Sequence, residues 1–176
     1  MGELRLVLPT LEYGEQVMAF KQECLDIGSS MDGCGPLRRS NTAAEWLEDA
    51  LSDTDPATLR EGRVLATNFI TVRQSDNTLV GMLQVRHYLN DYLERFGGHI
   101  GYSIRPSERR KGYAKEQLRQ ALVWCKEELK LDKVLITCLT DNEASRRTIL
   151  GAGGVYDGTV HEEEQNIDLE RYWITL

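Results

Sequence analysis

The chain has 176 residues, of which 41% are hydrophobic and 28% charged, and its formal net charge at pH 7 is −7. This length fits one domain with a substantial core, and the acidic balance argues against general nucleic-acid binding, which needs a basic surface. No run of about 18 apolar residues indicates a membrane span, and the acidic N-terminal segment lacks the pattern of a secretory signal.

The first part of the chain predicts one strand and two helices. Residues 4–9 are typical of a short strand, and apolar residues recur at helical spacing over 10–27. The Gly- and Ser-rich stretch 28–41 is typical of a long loop. A capping-box pattern that begins at Thr42 then predicts a second helix over 42–51.

The middle of the chain changes to strand periodicity and then returns to a helix. Segments 63–73 and 78–89 predict an antiparallel hairpin, and 99–106 predicts a third strand beside it. Residues 113–129 form the clearest predicted helix, because apolar side chains recur along one stripe. The stripe comprises Ala114, Leu118, Ala121, Leu122, Cys125 and Leu129.

The last part predicts a buried strand, a helix and two closing strands. The apolar run 133–139 has the length of a strand that is covered on both faces. Residues 141–150 begin with two good capping side chains and predict a helix, and strands follow at 153–160 and 166–176.

The order β-α-α-β-β-β-α-β-α-β-β predicts an α/β (α+β) fold in a single domain over 1–176. We expect a mixed, mostly antiparallel central sheet flanked by helices, with a right-handed crossover through the helix at 113–129.

The four cysteines, Cys24, Cys34, Cys125 and Cys138, form no CxxC pair and no close group with histidine. Their spacing therefore supports no metal site. Without an export signal, the simplest interpretation is four reduced thiols in a cytoplasmic protein.

A cluster of positive charge lies between a predicted strand and a predicted helix, where Arg109, Arg110 and Lys111 precede Gly112. A helix N-terminus presents unpaired N–H groups and partial positive charge, and glycine lets a phosphate approach closely. The turn has neither the Walker pattern nor the dinucleotide fingerprint. It predicts an anion site, with a solvated basic loop as the alternative.

Two motifs in this region resemble those of a known family. Arg109-x-x-Gly112-x-Ala114 resembles the [QR]-x-x-G-x-[GA] signature of the GCN5-related N-acetyltransferases, the GNAT superfamily. Asn142 and Ser145, followed by a glycine-rich turn, resemble the second motif of that family. The element order also matches over essentially the whole chain. The resemblance implies a GNAT fold, whose fourth and fifth strands splay apart, and acetyl-CoA as the acyl donor.

The resemblance also implies which residues hold the donor. Backbone N–H groups of the signature turn would bind the pyrophosphate, from a set that comprises Arg109, Arg110, Lys111, Gly112, Tyr113, Ala114 and Lys115. The pantetheine arm would pair with the fourth strand along Tyr102, Ser103 and Ile104. Asn142 and Ser145 would lie near the pantetheine and the sulfur, with the thioester between 99–104 and 134–139.

Amide formation needs a neutral amine, so a general base must remove a proton from an ammonium group whose pKa is about 10.4. Many GNAT members use a Glu at the start of the fourth strand, and His99 occupies the matching position here. A hydrogen-bonded structural histidine is the alternative at that position. His87 and His161 are further candidates for the base.

The usual general acid of the family is a tyrosine seven residues beyond the motif asparagine, and this position is Ile149. Tyr156 is the nearest tyrosine hydroxyl in sequence, with a structural role as the alternative. Ser145 or water could protonate the departing thiolate instead. A thiol with a pKa of about 8.5 can also leave unassisted.

These observations predict a bacterial, cytoplasmic, metal-independent N-acetyltransferase that transfers the acetyl group directly to a small-molecule amine in a ternary complex. We expect no nucleic-acid or membrane partner, and a homodimer is a candidate assembly. The alternatives are a protein N-terminus or lysine as acceptor, and a non-catalytic acyl-CoA-binding sensor. Acceptor specificity is expected from the first two helices and from 28–41, 86–98 and 157–166. Three residues are predicted to serve in packing: Trp46, Trp124 and Trp173.

Overall fold

The strands and helices follow the predicted order in the computed structural model, which describes residues 3–176. They are β1 (Leu4–Val7), α1 (Gly14–Asp26), α2 (Ala43–Ser52), β2 (Ala66–Arg73), β3 (Thr78–Arg86), β4 (Ile100–Ile104), α3 (Tyr113–Glu127), β5 (Lys133–Leu139), α4 (Glu143–Gly151), β6 (Val155–Glu162) and β7 (Ile167–Thr175). Element ends differ from prediction by a few residues. The first helix is shorter than expected because residues 11–13 form a separate 3-10 turn.

The strands divide into two antiparallel sheets, with the orders β1-β2-β3-β4 and β5-β7-β6. The sheets meet where β4 begins, through a bridge between Gly98 and Ile136. The backbone N–H of His99 donates there to the carbonyl oxygen of Leu135 at 2.7 Å. Beyond this junction β4 and β5 belong to different sheets, so the predicted fold class and the splay between its fourth and fifth strands are confirmed.

The first sheet is covered on both faces, because successive side chains of a strand point to opposite sides. On one face, α1 and α2 pack through buried residues that include Phe20, Trp46, Ile70 and Met82. On the other face, α3 packs through residues that include Phe69, Leu83, Leu118 and Cys125. In the same cluster, Ile149 of α4 is buried where α4 packs against α3 and β5.

Local sequence signals for the helices are confirmed. Thr42 caps α2, since its side-chain oxygen accepts the N–H of Glu45 at 3.1 Å. The stripe predicted for α3 faces the core, where Leu118, Ala121 and Cys125 are fully buried. Hydrophobic spacing and capping therefore sufficed to predict these helices.

Trp46 is fully buried, and its Nε1 donates to the carbonyl oxygen of Cys34 at 2.8 Å, which confirms its packing role. Trp124 packs edge-on against Phe69, with ring centroids 5.1 Å apart. Trp173 lies in contact with Lys133, whose Nζ is 4.4 Å from the ring centroid.

All four cysteines are buried free thiols. Among residues 3–176, no helix is long and apolar enough to cross a membrane. The same residues contain no cluster of three or more His, Cys, Asp or Glu side chains suited to a metal ion.

Candidate active site

A cleft of about 800 Å³ opens between β4 and β5 and reaches the N-terminus of α3. We call it the main cleft. Its walls include all of β4, most of the signature turn at 109–115 and the first residues of α4. The splay between the two sheets creates this space, because β4 is the last strand of its sheet and its outer edge has no strand partner beyond the junction.

The signature turn presents free backbone donors to the main cleft. The N–H groups of 110–115 make no hydrogen bond within residues 3–176. Gly112 is the N-terminal cap of α3, with a φ of 81° and no atom within 4 Å of the position that a Cβ would take. The side chains of Arg110 and Lys115 are exposed beside it. Such a set of donors at a helix N-terminus could hold a phosphate group.

The two other basic side chains of the turn are held by the protein itself. Arg109 donates from Nε to the carbonyl oxygen of Ile104 at 3.0 Å and from Nη2 to Oγ of Ser29 at 2.7 Å. Lys111 pairs with Glu108 at 2.7 Å. Arg109 therefore ties the 28–41 loop to the end of β4, which its place in the motif did not predict.

Asn142, Ser145 and Tyr102 meet inside the main cleft. Oδ1 of Asn142 caps α4 by accepting the N–H of Ser145 at 3.1 Å. The hydroxyl groups of Ser145 and Tyr102 lie 3.0 Å apart, which links α4 to β4 across the cleft. Burial raises the pKa of Tyr102 to about 12. Sequence reasoning assigned only a backbone role to Tyr102 and missed its hydroxyl, although strand alternation separates its side chain from that of Ser103.

His99 does not line the main cleft and lies between the two sheets with 6% of its surface exposed. Its Nδ1 accepts the N–H of Leu135 at 2.9 Å, so the neutral ring carries its proton on Nε2 and has no free lone pair. Burial, together with the nearby Arg86 charge, lowers the pKa of His99 to about 4. This geometry favours the structural role that was the alternative to a general base.

The other two histidines also lie outside the main cleft. Nε2 of His87 is 2.8 Å from Oγ1 of Thr67, and burial lowers the pKa of His87. His161 pairs with Asp168 at 2.8 Å on the exposed β6–β7 hairpin. None of the three histidines is therefore placed to take a proton from an amine in the cleft.

Tyr156 is not brought to the cleft either. Its side chain is 56% exposed on β6, and its hydroxyl lies 2.7 Å from Oγ1 of Thr159. Ile149, at the position of the family tyrosine, is fully buried in the core between α4 and the sheets. A side chain at position 149 thus packs against apolar neighbours instead of reaching a leaving group.

A second space of about 440 Å³, which we call the side cavity, opens beside the main cleft. Five residues line both spaces, namely Asp32, Gly33, Arg86, Tyr92 and Leu93. The two spaces are contiguous at these residues. All five belong to the segments 28–41 and 86–98, from which acceptor specificity is expected.

The 28–41 loop lies directly on β4, which brings Asp32 to the junction of the two spaces. Gly33 has a φ of 74°, and a Cβ there would lie 2.0 Å from the carbonyl oxygen of Gly101, so only glycine fits. Oγ of Ser103 also donates to the carbonyl oxygen of Asp32 at 2.7 Å. The sequence indicated a long loop here and carried no signal of this contact.

A family model identifies the class of protein. The model of the acetyltransferase (GNAT) domain matches residues 15–155, which is most of the chain. The chain therefore belongs to the GNAT family of acetyltransferases, as its signature turn and second motif predicted. It is an N-acetyltransferase of this family.

Several solved structures share the fold over nearly the whole of this chain and of their own chains. RimL, a ribosomal L7/L12 alpha-N-protein acetyltransferase in complex with coenzyme A, is 14% identical with a TM-score of 0.75, over 100% of this chain and 96% of that one. The microcin C7 self-immunity acetyltransferase MccE, in complex with acetyl-CoA and AMP, is 17% identical with a TM-score of 0.73, over 100% and 94%. A dodecameric spermidine N-acetyltransferase from Vibrio cholerae is 17% identical with a TM-score of 0.68, over 98% and 94%.

These identities establish the fold and leave the acceptor open, since the names of these proteins include both a protein and a polyamine acceptor. Among curated proteins, none matches the chain.

Proposed function

We propose that the protein transfers the acetyl group of acetyl-CoA to a primary amine of a small molecule. The observation that carries this proposal is the contiguity of the main cleft with the side cavity. A cavity of about 440 Å³ has the size of a small-molecule site, for which roughly 300–1,000 Å³ is typical. Two solved structures with this fold contain coenzyme A or acetyl-CoA, which supports the same donor.

The main cleft has the groups that the donor requires along its length. The free N–H groups of 110–115 and the exposed charges of Arg110 and Lys115 suit the pyrophosphate. The outer edge of β4 along Tyr102–Ile104 suits the pantetheine arm, with Asn142 on the opposite wall. When bound, acetyl-CoA supplies a thioester whose acetyl group an amine can accept.

The junction of the two spaces suits the amine. Asp32 is the acidic side chain that lines both spaces among residues 3–176. Its carboxylate attracts the ammonium form of the acceptor and holds it where the side cavity meets the cleft. Both substrates can then be bound together. The ammonium first loses a proton to water at the junction, and the neutral nitrogen attacks the thioester carbon as the C–S bond breaks. The second nitrogen proton passes through water to the CoA thiolate, so that one proton is released to solvent overall.

The Tyr102–Ser145 pair suits the departing thiolate, because their mutual hydrogen bond uses only one of the two hydroxyl protons. The Tyr102 hydroxyl also lies 3.5 Å from the carbonyl oxygen of Ser145, a long contact that a sulfur acceptor can replace. With a pKa of about 12, Tyr102 is a weaker acid than a thiol of pKa about 8.5 by roughly three orders of magnitude. Full proton transfer from Tyr102 is therefore unfavourable. We assign to the pair a stabilising hydrogen bond to the sulfur.

Tyr102→Phe should lower kcat by about 10- to 100-fold, the equivalent of one hydrogen bond to a charged group. The dissociation constant of CoA should change less than about threefold, because the ring still packs. Stopped-time assays of thiol release and calorimetric CoA titration measure the two quantities. Tyr156→Phe is the matched control, because this exposed hydroxyl lies outside the cleft. A loss of activity in Tyr156→Phe with none in Tyr102→Phe would contradict the assignment.

Thermal unfolding in the presence of acetyl-CoA, CoA or ATP tests the donor, and thiol release with a panel of amines tests the transfer. We expect acetyl-CoA and CoA to raise Tm more than ATP does, and small amines to release thiol. No stabilisation by either CoA species would contradict the proposal. Stabilisation without turnover would favour a non-catalytic acyl-CoA-binding module, and turnover with peptides alone would favour a protein acceptor.

A further inference from the structure

One arginine of the side cavity, Arg86, makes no direct ion pair among residues 3–176. Arg63 is paired with Asp53 at 3.2 Å, whereas no carboxylate oxygen of residues 3–176 lies within 4.0 Å of the guanidinium of Arg86. A partly desolvated charge without a direct partner is costly. Burial lowers the pKa of the half-buried Arg86, and the nearby charge of Asp32 offsets part of this effect without a direct ion pair. Arg86 faces both the side cavity and the main cleft.

The head of Arg86 is fixed in place and keeps one edge free. Nη1 donates to the carbonyl oxygens of Gly97 at 3.0 Å and Gly98 at 3.1 Å. Nε and Nη2 have no partner within the part of the chain that the structure describes. These two donors form a planar fork, which matches the two oxygens of a carboxylate or phosphate.

Two further polar side chains near Arg86 have atoms without a hydrogen-bond partner in residues 3–176. Gln84 is two residues before Arg86 on β3, lines the side cavity and makes no side-chain hydrogen bond within residues 3–176. Asn68 lies opposite Gln84 on β2, and its buried Oδ1 has no partner. Asn68 Oδ1 and Gln84 Nε2 lie 3.6 and 3.9 Å from the position of a Cβ on Gly35. Asn68, Gln84 and Arg86 therefore each keep at least one polar side-chain atom without a partner in residues 3–176, although Nδ2 of Asn68 donates to the carbonyl oxygen of Ala50 at 3.2 Å.

The side cavity is lined by a negative side chain at its junction with the main cleft and by positive side chains. Asp32 provides negative charge at the junction, where it favours an ammonium group. Arg39 is exposed at the cavity without a carboxylate partner in residues 3–176 and adds to the positive potential around Arg86. The cavity thus offers an anion site and a cation site close together, within a protein whose net charge is −7.

We propose that the acetyl acceptor carries an anionic carboxylate or phosphate group near its primary amine, and that Arg86 and Gln84 bind this group. The inference rests on the proposed function and specifies the substrate class of that site. A polyamine has no group to pair with Arg86 and is disfavoured by its charge. Arg86 acts as a specificity-determining residue, and the amine is positioned by the distance between its nitrogen and its anionic group.

Pairs of acceptors that differ only in charge test the proposal. One set consists of ω-amino carboxylates of increasing chain length and the corresponding uncharged amides, and the other of 2-aminoethyl phosphate and 2-aminoethanol. Binding is measured by calorimetry in the presence of CoA, which permits no transfer, and kcat/KM is measured with acetyl-CoA. At the chain length that binds most tightly, we expect the anionic acceptor to bind about 10- to 100-fold more tightly than the uncharged acceptor of the same length, which we call its neutral twin.

Arg86→Gln should abolish this preference, measured as the ratio of kcat/KM for an anionic acceptor to that for its neutral twin. The loss of the hydrogen bonds to Gly97 and Gly98 affects both members of a pair and cancels in this ratio. Arg86→Lys should retain part of the preference, because one positive charge remains without the planar fork. Gln84→Leu should weaken the anionic members by about tenfold and leaves the contacts of Arg86 with Gly97 and Gly98 intact. Arg39→Gln is the matched control, since it removes the same charge from an exposed position at the same cavity.

Equal binding of charged and neutral twins to the wild type would overturn the proposal. So would an Arg86→Gln variant that loses kcat equally for all acceptors, because this would assign Arg86 to the thioester instead. An Arg39→Gln effect as large as that of Arg86→Gln would reduce the preference to general electrostatics and would also overturn it. Failure of the proposed acetyl transfer itself would give a different result, because the wild type would then show no CoA binding or no thiol release with any amine. Preference among carboxylates over phosphates, or the reverse, identifies the anion.

Discussion

Gly112→Val should weaken the binding of acetyl-CoA by a factor on the order of 100. Two effects combine, because Gly112 has a φ of 81° and its missing Cβ faces open space at the signature turn. A β-branched residue in the left-handed region is strained by about 1–2 kcal/mol, so the turn would change its conformation and misdirect its N–H groups. The added side chain would also occupy the space that a pyrophosphate needs. Charge-assisted hydrogen bonds contribute about 1.5–3 kcal/mol each, so the loss of one or two accounts for the expected factor.

Gly153→Val separates the effect on binding from the cost of backbone strain. Gly153 follows the C-terminus of α4 and has a φ of 90°. It also has no atom within 4 Å of the position that a Cβ would take, but it lies outside the main cleft. Both variants should lose about 1–2 kcal/mol of the free energy of unfolding, measured by denaturant titration. Only Gly112→Val should lose affinity, measured by calorimetric titration with CoA. Unchanged affinity in Gly112→Val, or equal losses in both variants, would contradict a pyrophosphate site at this turn.

Ile149→Tyr should destabilise the protein by about 2–6 kcal/mol and should not raise kcat. The substitution restores the residue type usual at this position of the family, but Ile149 is fully buried. Its Cγ2 lies 2.6 Å from the position that a Cβ on Gly154 would take, which shows how closely the turn after α4 packs against it. A larger side chain overpacks the core at a cost of about 1–3 kcal/mol, and a buried hydroxyl without a partner adds about 1–3 kcal/mol.

Leu150→Tyr is the matched control for this variant. Leu150 is the next residue of the same helix and is 49% exposed, so a tyrosine there should change the free energy of unfolding by less than about 0.5 kcal/mol. Chemical denaturation measures both variants, and thiol release measures kcat. A stable Ile149→Tyr variant with higher kcat would mean that position 149 faces the leaving group, and the assignment of the Tyr102–Ser145 pair would then be wrong.

The proposed acceptor side of the site differs from the donor side in how it is built. The signature turn and the cap of α4 are each built from neighbouring residues. The side cavity is built from the 28–41 loop, Asp53, residues 62–66, the end of β3 and the 86–98 segment, which come from separate parts of the chain. Changes in these segments can alter the acceptor without changing the donor groups, which agrees with the different acceptors named for the solved structures.

Sequence patterns predicted the features that depend on nearby residues. The stripe of α3, the cap at Thr42, the cap at Asn142 and the turn around Gly112 each depend on interactions within about four residues. The GNAT resemblance followed from the same local motifs and the order of the elements. The assignment of the donor groups could therefore be made before any tertiary contact was known, and it remains a proposal that CoA binding tests.

Only the tertiary structure revealed the contacts of His99, Ile149 and Arg86. Periodicity placed His99 on a strand, but only the junction of two sheets brings the N–H of Leu135 to its Nδ1. The motif spacing showed that Ile149 occupies the position of the family's tyrosine acid. Only the packing of α4 shows that a side chain at position 149 is directed into the core. Arg86 carried no sequence signal, because its free donors and its lack of a direct ion pair depend on how segments that are distant along the chain pack around it. Helix and turn propensities are local, whereas the burial and pairing of a side chain are set by which distant segments surround it. The proposed acceptor site therefore became visible only in the tertiary structure.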